Sequence, residues 1–271
     1  QRAFAYQNAG TNRPSADYKA LNTANLPTPT IADGSQYFDT KLWAGNAGSQ
    51  SIATSFSPDF VWIKQRSGTN WHNLFDIVRG ADKALHSNEA NAETGPHSPA
   101  RLSSFDSNGW SMGASTDVNG SGSTYGGWAW DGGTSTVSNT DGTGTTNVQV
   151  RANPSAGFSI VTYTGGSSSP ANSDSGDSFG HGLGAAPELV ICKKRTGGNS
   201  WPVYHASTTL GALVLDGTNA LDTSSYLFAK KHPTSSVVYL GNNPEINNSS
   251  HNYVAYCFAP VAGYSAMGSY V

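Results

Sequence analysis

The strongest constraint on this chain is that one stretch of it is written twice. Pro58-Asp-Phe-Val-Trp-Ile-Lys-Gln-Arg-Ser-Gly-Thr-Asn70 lies without a gap over Pro187-Glu-Leu-Val-Ile-Cys-Lys-Lys-Arg-Thr-Gly-Gly-Asn199, at a spacing of 129 residues. Two later blocks follow in the same order at a spacing of 128: Trp110-Ser-Met-Gly113 over Val238-Tyr-Leu-Gly241, and Tyr125-Gly-Gly-Trp-Ala-Trp130 over Tyr253-Val-Ala-Tyr-Cys-Phe258. Blocks in fixed order and spacing mean that one structural unit is present in two diverged copies. The first block enters after Pro, is apolar on both faces over Phe60 to Ile63, and leaves through Lys, Arg and a Gly-containing turn. A run of that kind belongs in the middle of a packed sheet and not at its edge. Trp71 and Trp201 follow the two copies, one inserted residue apart.

No helical period runs through the rest. Short β-branched and aromatic runs recur between Gly, Asn, Ser and Asp clusters, the pattern of an all-β chain. The clearest strands are Phe60 to Lys64, Trp110 to Gly113, Gly126 to Trp130, Phe158 to Tyr163, Leu189 to Lys193, Ala212 to Leu215, Val237 to Gly241 and Tyr253 to Phe258. Trp71 to His86 has apolar residues at spacings that suit a helical turn, but Gly80 interrupts it, and strand plus loop is expected. The expected organisation is two tandem antiparallel β-sandwich units at 35–133 and 157–262, preceded by an extended linker from an upstream domain at 1–34. Residues 134–156 are expected to be a Gly/Thr/Asn-rich linker or loop, because Asp131 to Asn147 holds too little apolar surface to offset its ordering entropy. The loop Gly165 to Gly180 has the same character. Residues 263–271 repeat the character of Gly157 to Thr164 and are expected to be the first strand of a truncated third unit, available for strand addition to a neighbour. Together with a first residue that is not Met, this implies a piece of a longer parent protein.

Composition narrows the function classes. Charged residues make up 12% of the chain, about half of the usual ~25%, so neutral groups cover the surface. The net charge of -3 and the absence of a basic stripe argue against a nucleic-acid partner. The longest apolar run, Phe60 to Ile63, is far short of the roughly 18 residues of a membrane-spanning helix. Cys192 and Cys257 both sit in apolar runs and read as buried free thiols in preference to a bridge.

The run Phe4-Ala-Tyr6, followed by Tyr18-Lys-Ala-Leu-Asn-Thr-Ala-Asn-Leu-Pro27 and Tyr37-Phe-Asp39, resembles the exit from a SPRY-like domain into a repeated domain of marine phage fibre and other virion-associated proteins. Phe60-Val-Trp-Ile-Lys64, Phe75-Asp-Ile-Val-Arg-Gly80 and Ala259-Pro-Val-Ala-Gly-Tyr-Ser265 are similar to that repeat as well. The resemblance implies jelly-roll or concanavalin-like sandwiches and a virion-surface or extracellular setting, and it supplies no catalytic residues. The second unit lacks the Arg-Gly element of the first.

No His-x-x-x-His or Cys-x-x-Cys spacing occurs, so no transition-metal site is expected. The Asp131, Asp141 and Asp174–Asp177 loops offer oxygen ligands of the kind Ca2+ takes, but without the alternating spacing of a dedicated loop, and solvated turns are the expectation. Gly180-His-Gly-Leu-Gly184 lacks an accompanying Gly-x-Ser-x-Gly elbow. The four Glu offer no pair suited to glycoside hydrolysis. The expectation is therefore no enzyme and no cofactor. The aromatics weigh most. Trp62, Trp110, Trp128 and Trp130 fall on strands, where a core role accounts for them. Trp71 and Trp201 follow Gly-rich turns and are the candidate ligand-stacking platform, with His72, Tyr204 and His205. The function expected is a structural or adhesive module of a phage tail fibre or other virion-surface fibre. Its partners are other fibre or virion subunits, including copies of itself, and a host-surface glycan. The alternative is a glycan-binding or glycan-cleaving module of the same fold class.

Overall fold

The computed structural model describes residues 29–166 and 172–269. Most of the expected upstream linker, residues 1–28, lies outside the described residues, as do 167–171, 270 and 271. The described chain is all-β, arranged as antiparallel sheets. In order the strands are β1 (Phe38–Ala44), β2 (Gln50–Ala53), β3 (Phe60–Gln65), β4 (His72–Asp76), β5 (Leu102–Asp106), β6 (Gly109–Met112), β7 (Thr124–Trp130), β8 (Thr136–Ser138), β9 (Thr146–Asn153), β10 (Phe158–Thr164), β11 (Asp174–Gly180), β12 (Leu189–Lys194), β13 (Pro202–His205), β14 (Leu213–Val214), β15 (Val237–Gly241) and β16 (Asn252–Phe258). A short α-helix, α1 (Thr116–Asn119), precedes β7, and a 3-10 turn, Gly34–Gln36, precedes β1.

The repeat in the sequence is a repeat in topology. The first sheet has the order β1-β7-β3-β4, and the central strands of the third sheet have the order β10-β16-β12-β13. Register agrees to the residue: Phe60 pairs with Trp130 in the first copy, and Leu189 pairs with Phe258 in the second. The second sheet, β2-β6-β5, corresponds to the fourth, β11-β15. Even the edge bridges match, Leu74 with Leu85 and Ala84 with Thr94 against Val203 with Leu213 and Ala212 with Asp222.

Strand alternation sorts the side chains into three cores. Val61, Ile63, Phe75, Tyr125 and Ala129 of the first sheet meet Ile52, Trp110 and Met112 of the second. Val190, Cys192, Tyr204, Tyr253 and Cys257 of the third sheet meet Phe179, Val238 and Leu240 of the fourth. Both cysteines are buried and free. The other faces of the two large sheets bury Phe60, Leu74 and Leu85 against Phe158, Ile160, Trp201, Val254 and Tyr256. Phe60 stacks on Tyr256 at 4.4 Å between ring centroids. The molecule is therefore four sheets deep, with the two large sheets back to back.

Polar groups reinforce this junction. Arg79, buried after β4, donates to Asp76 from Nε and to Tyr256 Oη at 3.2 Å, while Tyr256 donates to Asp76 Oδ2 at 2.8 Å. Glu93 accepts from Arg79 on its own side and from Arg195 on the other. The excursion between β4 and β5 thus lies over the second unit.

Three expectations about the organisation are corrected. Residues 134–156 are not a linker or loop, because β8 and β9 occur there and β9 pairs along nearly the whole of β10. Val148 and Val150 enter the core, an anchor that the polar composition of Asp131 to Asn147 conceals. Part of the expected loop Gly165 to Gly180 is β11, with Phe179 fully buried. Residues 263–269 form no strand; Val261 bridges Ser265 across a turn, and Tyr264 packs on Tyr37 at 6.4 Å. Thr30 N–H donates to Ala262 O, so this end of the described chain closes on the beginning of the first unit.

Candidate functional site

The five residues singled out as a platform do not form one surface. Trp71 is 43% exposed and lies against the His86 ring at 4.7 Å. Trp201 is 0% exposed, within the core between the large sheets. It offers no face for stacking. The cause is register: Lys64 pairs with His72, and the same count in the second copy sets Trp201 opposite Lys193. Trp201 is thus the counterpart of His72, not of Trp71, and a slip of one residue moves a side chain to the other face. Tyr204 is also buried, its hydroxyl 2.7 Å from His232 Nδ1. His205 is half-buried at the far end of β13, with Ser207 Oγ on its Nδ1.

His72 alone of the five lines a cleft between the two units. Its other walls are Trp62, the segment Ser87–Asn88 and the segment Leu215–Thr218, and it encloses roughly 360 Å³. Trp201 is what holds it in shape. Its indole N–H donates to His86 O and Glu89 O at 2.9 and 3.1 Å, on one wall. On the other wall its backbone N–H donates to Asp216 Oδ1, and its carbonyl accepts from Leu215 N–H.

Three polar side chains of the cleft, His72, Asn88 and Asp216, are each anchored through one atom and free at another. Trp62 Nε1–H donates to His72 Nδ1 at 2.9 Å, so the ring proton of a neutral His72 resides on Nε2. Burial, and next the charge of Lys64, hold the imidazole below its ordinary value and favour that neutral form. Asn88 Oδ1 accepts from His72 N–H, leaving its amide N–H2 as a donor. Asp216 uses Oδ1 on Trp201 and retains Oδ2 as an acceptor.

Trp128 extends the apolar wall. It pairs in register with Trp62, their ring centroids 6.5 Å apart at 74°, and it is 37% exposed. The core role expected for it fails here, because the third sheet covers only part of the first sheet's outer face. Leu42, 70% exposed on β1, lies on the same uncovered part.

A family model described as a domain of unknown function, DUF7483, matches residues 33–271. The chain belongs to that family. The DUF7483 match takes in both copies of the unit together, so the cleft and the junction between copies lie within the family's own span. Searches of curated proteins and of solved structures return no match.

Proposed function

We propose that the chain is a non-catalytic structural and adhesive module of a phage tail fibre or other virion-surface fibre, and that its paired sheets are two tandem β-sandwiches of jelly-roll or concanavalin-like kind. The observation that carries this reading is the apolar core between the two large sheets. Two units joined through Phe60, Trp201 and Tyr256, and cross-braced by Arg79 and Glu93, behave as one stiff block suited to bearing load. The low charge and the Gly, Ser and Asn surface fit a module that packs against other fibre subunits without strong electrostatic steering. Its partners on this reading are copies of itself, other virion proteins and a host-surface glycan. The glycan-binding alternative is favoured by the Trp62–His72 cleft.

The test is made on particles. An antibody raised against residues 33–271 is expected to decorate purified virions of the phage that encodes the chain, at a fibre, and to block adsorption to host cells. Particles that carry none of the chain would rule the reading out.

A further inference from the structure

We infer that the cleft bounded by Trp62, His72, Asn88 and Asp216, with Trp128 beside it, is a binding site for an uncharged hexose chain. The inference deepens the adhesive reading above, on which it rests, by giving its contact surface and its ligand class.

The ligand class follows from the chemistry of the walls. A pyranose ring presents C–H faces, which stack on aromatic rings, and hydroxyls, each of which donates and accepts. Trp62 and Trp128 supply two indoles at 74° to one another, enough to meet successive residues of a bent chain. His72 Nε2 and the Asn88 amide are donors, and Asp216 Oδ2 is an acceptor. All three have no protein partner at these atoms and are held by their other atoms to the backbone or to Trp62. Groups fixed in advance lose little freedom on binding, so their hydrogen bonds contribute to affinity.

The lining offers little to the competing, anionic class. The cleft lining contains one carboxylate, Asp216, and no Lys or Arg. A sulfated, phosphorylated or sialylated chain finds no Lys or Arg in the lining to pair with and meets the Asp216 carboxylate, whereas the hydroxyls of an uncharged chain match the donors and the acceptor present. The cleft volume is within the range of small-ligand sites.

Affinity gel electrophoresis of the full chain in gels containing neutral polysaccharides (dextran, laminarin, mannan, galactan, xylan), with heparin and alginate as anionic comparisons, tests the assignment. Retardation by at least one neutral polymer and by neither anionic one is expected. Trp128→Ala and Asp216→Asn should each weaken that retardation about tenfold, the worth of one stacking or hydrogen-bonding contact, while Val137→Ser on β8 leaves it unchanged. Trp128 is exposed and its loss leaves the fold intact; if Asp216→Asn lowers the melting temperature, Trp128→Ala decides alone. Retardation by no neutral polymer, or retardation insensitive to Trp128→Ala, or loss confined to Trp71→Ala, would overturn the site. Incorporation into particles is measured separately, so a chain present on virions that binds no neutral polymer removes this inference and leaves the fibre reading standing.

Discussion

Asp59 shows how one buried residue sets a property of the whole. It stands just before β3 with its side chain fully buried, Oδ2 accepting from Gly132 N–H and Oδ1 2.7 Å from Arg151 Nε. Burial pushes its carboxyl up to about 6 from the ordinary 3.8, against the opposing pull of Arg151. Below pH 4 the group is protonated in folded and unfolded chains alike. Between 4 and 6 the folded chain holds a proton that the unfolded chain has lost, so stability falls as pH rises and levels off above 6. The drop is ~3 kcal/mol for a shift of this size. The difference in denaturant midpoint between the wild type and Asp59→Asn, measured from pH 4 to 7, should follow this decline; a difference that does not change with pH would place the titration elsewhere. The residue scale is also where sequence reasoning failed most. Trp71 and Trp201 look equivalent as letters, but the inserted residue before Trp201 turns it inward, and nothing in composition reports which face a side chain takes.

At the scale of the element, the same latch is built twice. Tyr125 on β7 stacks on Trp43 at 5.7 Å and donates to Thr116 O, while Trp43 Nε1 donates to Val118 O. In the second copy Tyr253 stacks on Tyr163 at 5.1 Å and donates to Pro244 O, while Tyr163 donates to Ile246 O. Buried Asn119 and Asn247 close the two turns, each accepting a backbone N–H through Oδ1. At the tyrosines the copies differ in one bond, since Tyr125 Oη also accepts from Gly120 N–H. Tyr125→Phe therefore removes two hydrogen bonds, leaving Gly120 N–H without its partner and Thr116 O with Asn70 alone, and Tyr253→Phe removes one. Costs of about 2 and about 1 kcal/mol are expected from urea unfolding, and the reverse order would show that the bond to Gly120 contributes nothing. Gly127, beside this latch on β7, sits so close that an added Cβ would come within 2.9 Å of the Trp43 ring and force that ring to move.

For the whole molecule, the junction decides between two independent units and one. With Phe60, Leu74 and Leu85 buried against Phe158, Trp201 and Tyr256, neither large sheet keeps its outer face covered if the other unfolds. Differential scanning calorimetry should give one transition with matching calorimetric and van't Hoff enthalpies. Two separated transitions would show the units to be autonomous. Arg79→Ala leaves Asp76 buried beside Tyr256 without its cation, and a loss of about 3–5 kcal/mol is expected, again in a single transition.

The amino-acid sequence alone determined the all-β character, the two copies and the identity of their central strands, because these rest on local periodicity and on spacing that survives divergence. The strands β8, β9 and β11 were illegible in it, since Gly, Thr and Asn favour turns until a neighbouring strand offers their backbone a ladder. Trp62 and Trp128 were visible only as strand aromatics. Which part of their sheet stays uncovered depends on where the second unit lies across it, and that placement arises from contacts between residues more than a hundred positions apart. The cleft is for the same reason a property of the tertiary structure alone: its walls come from both copies, and only their packing brings them together.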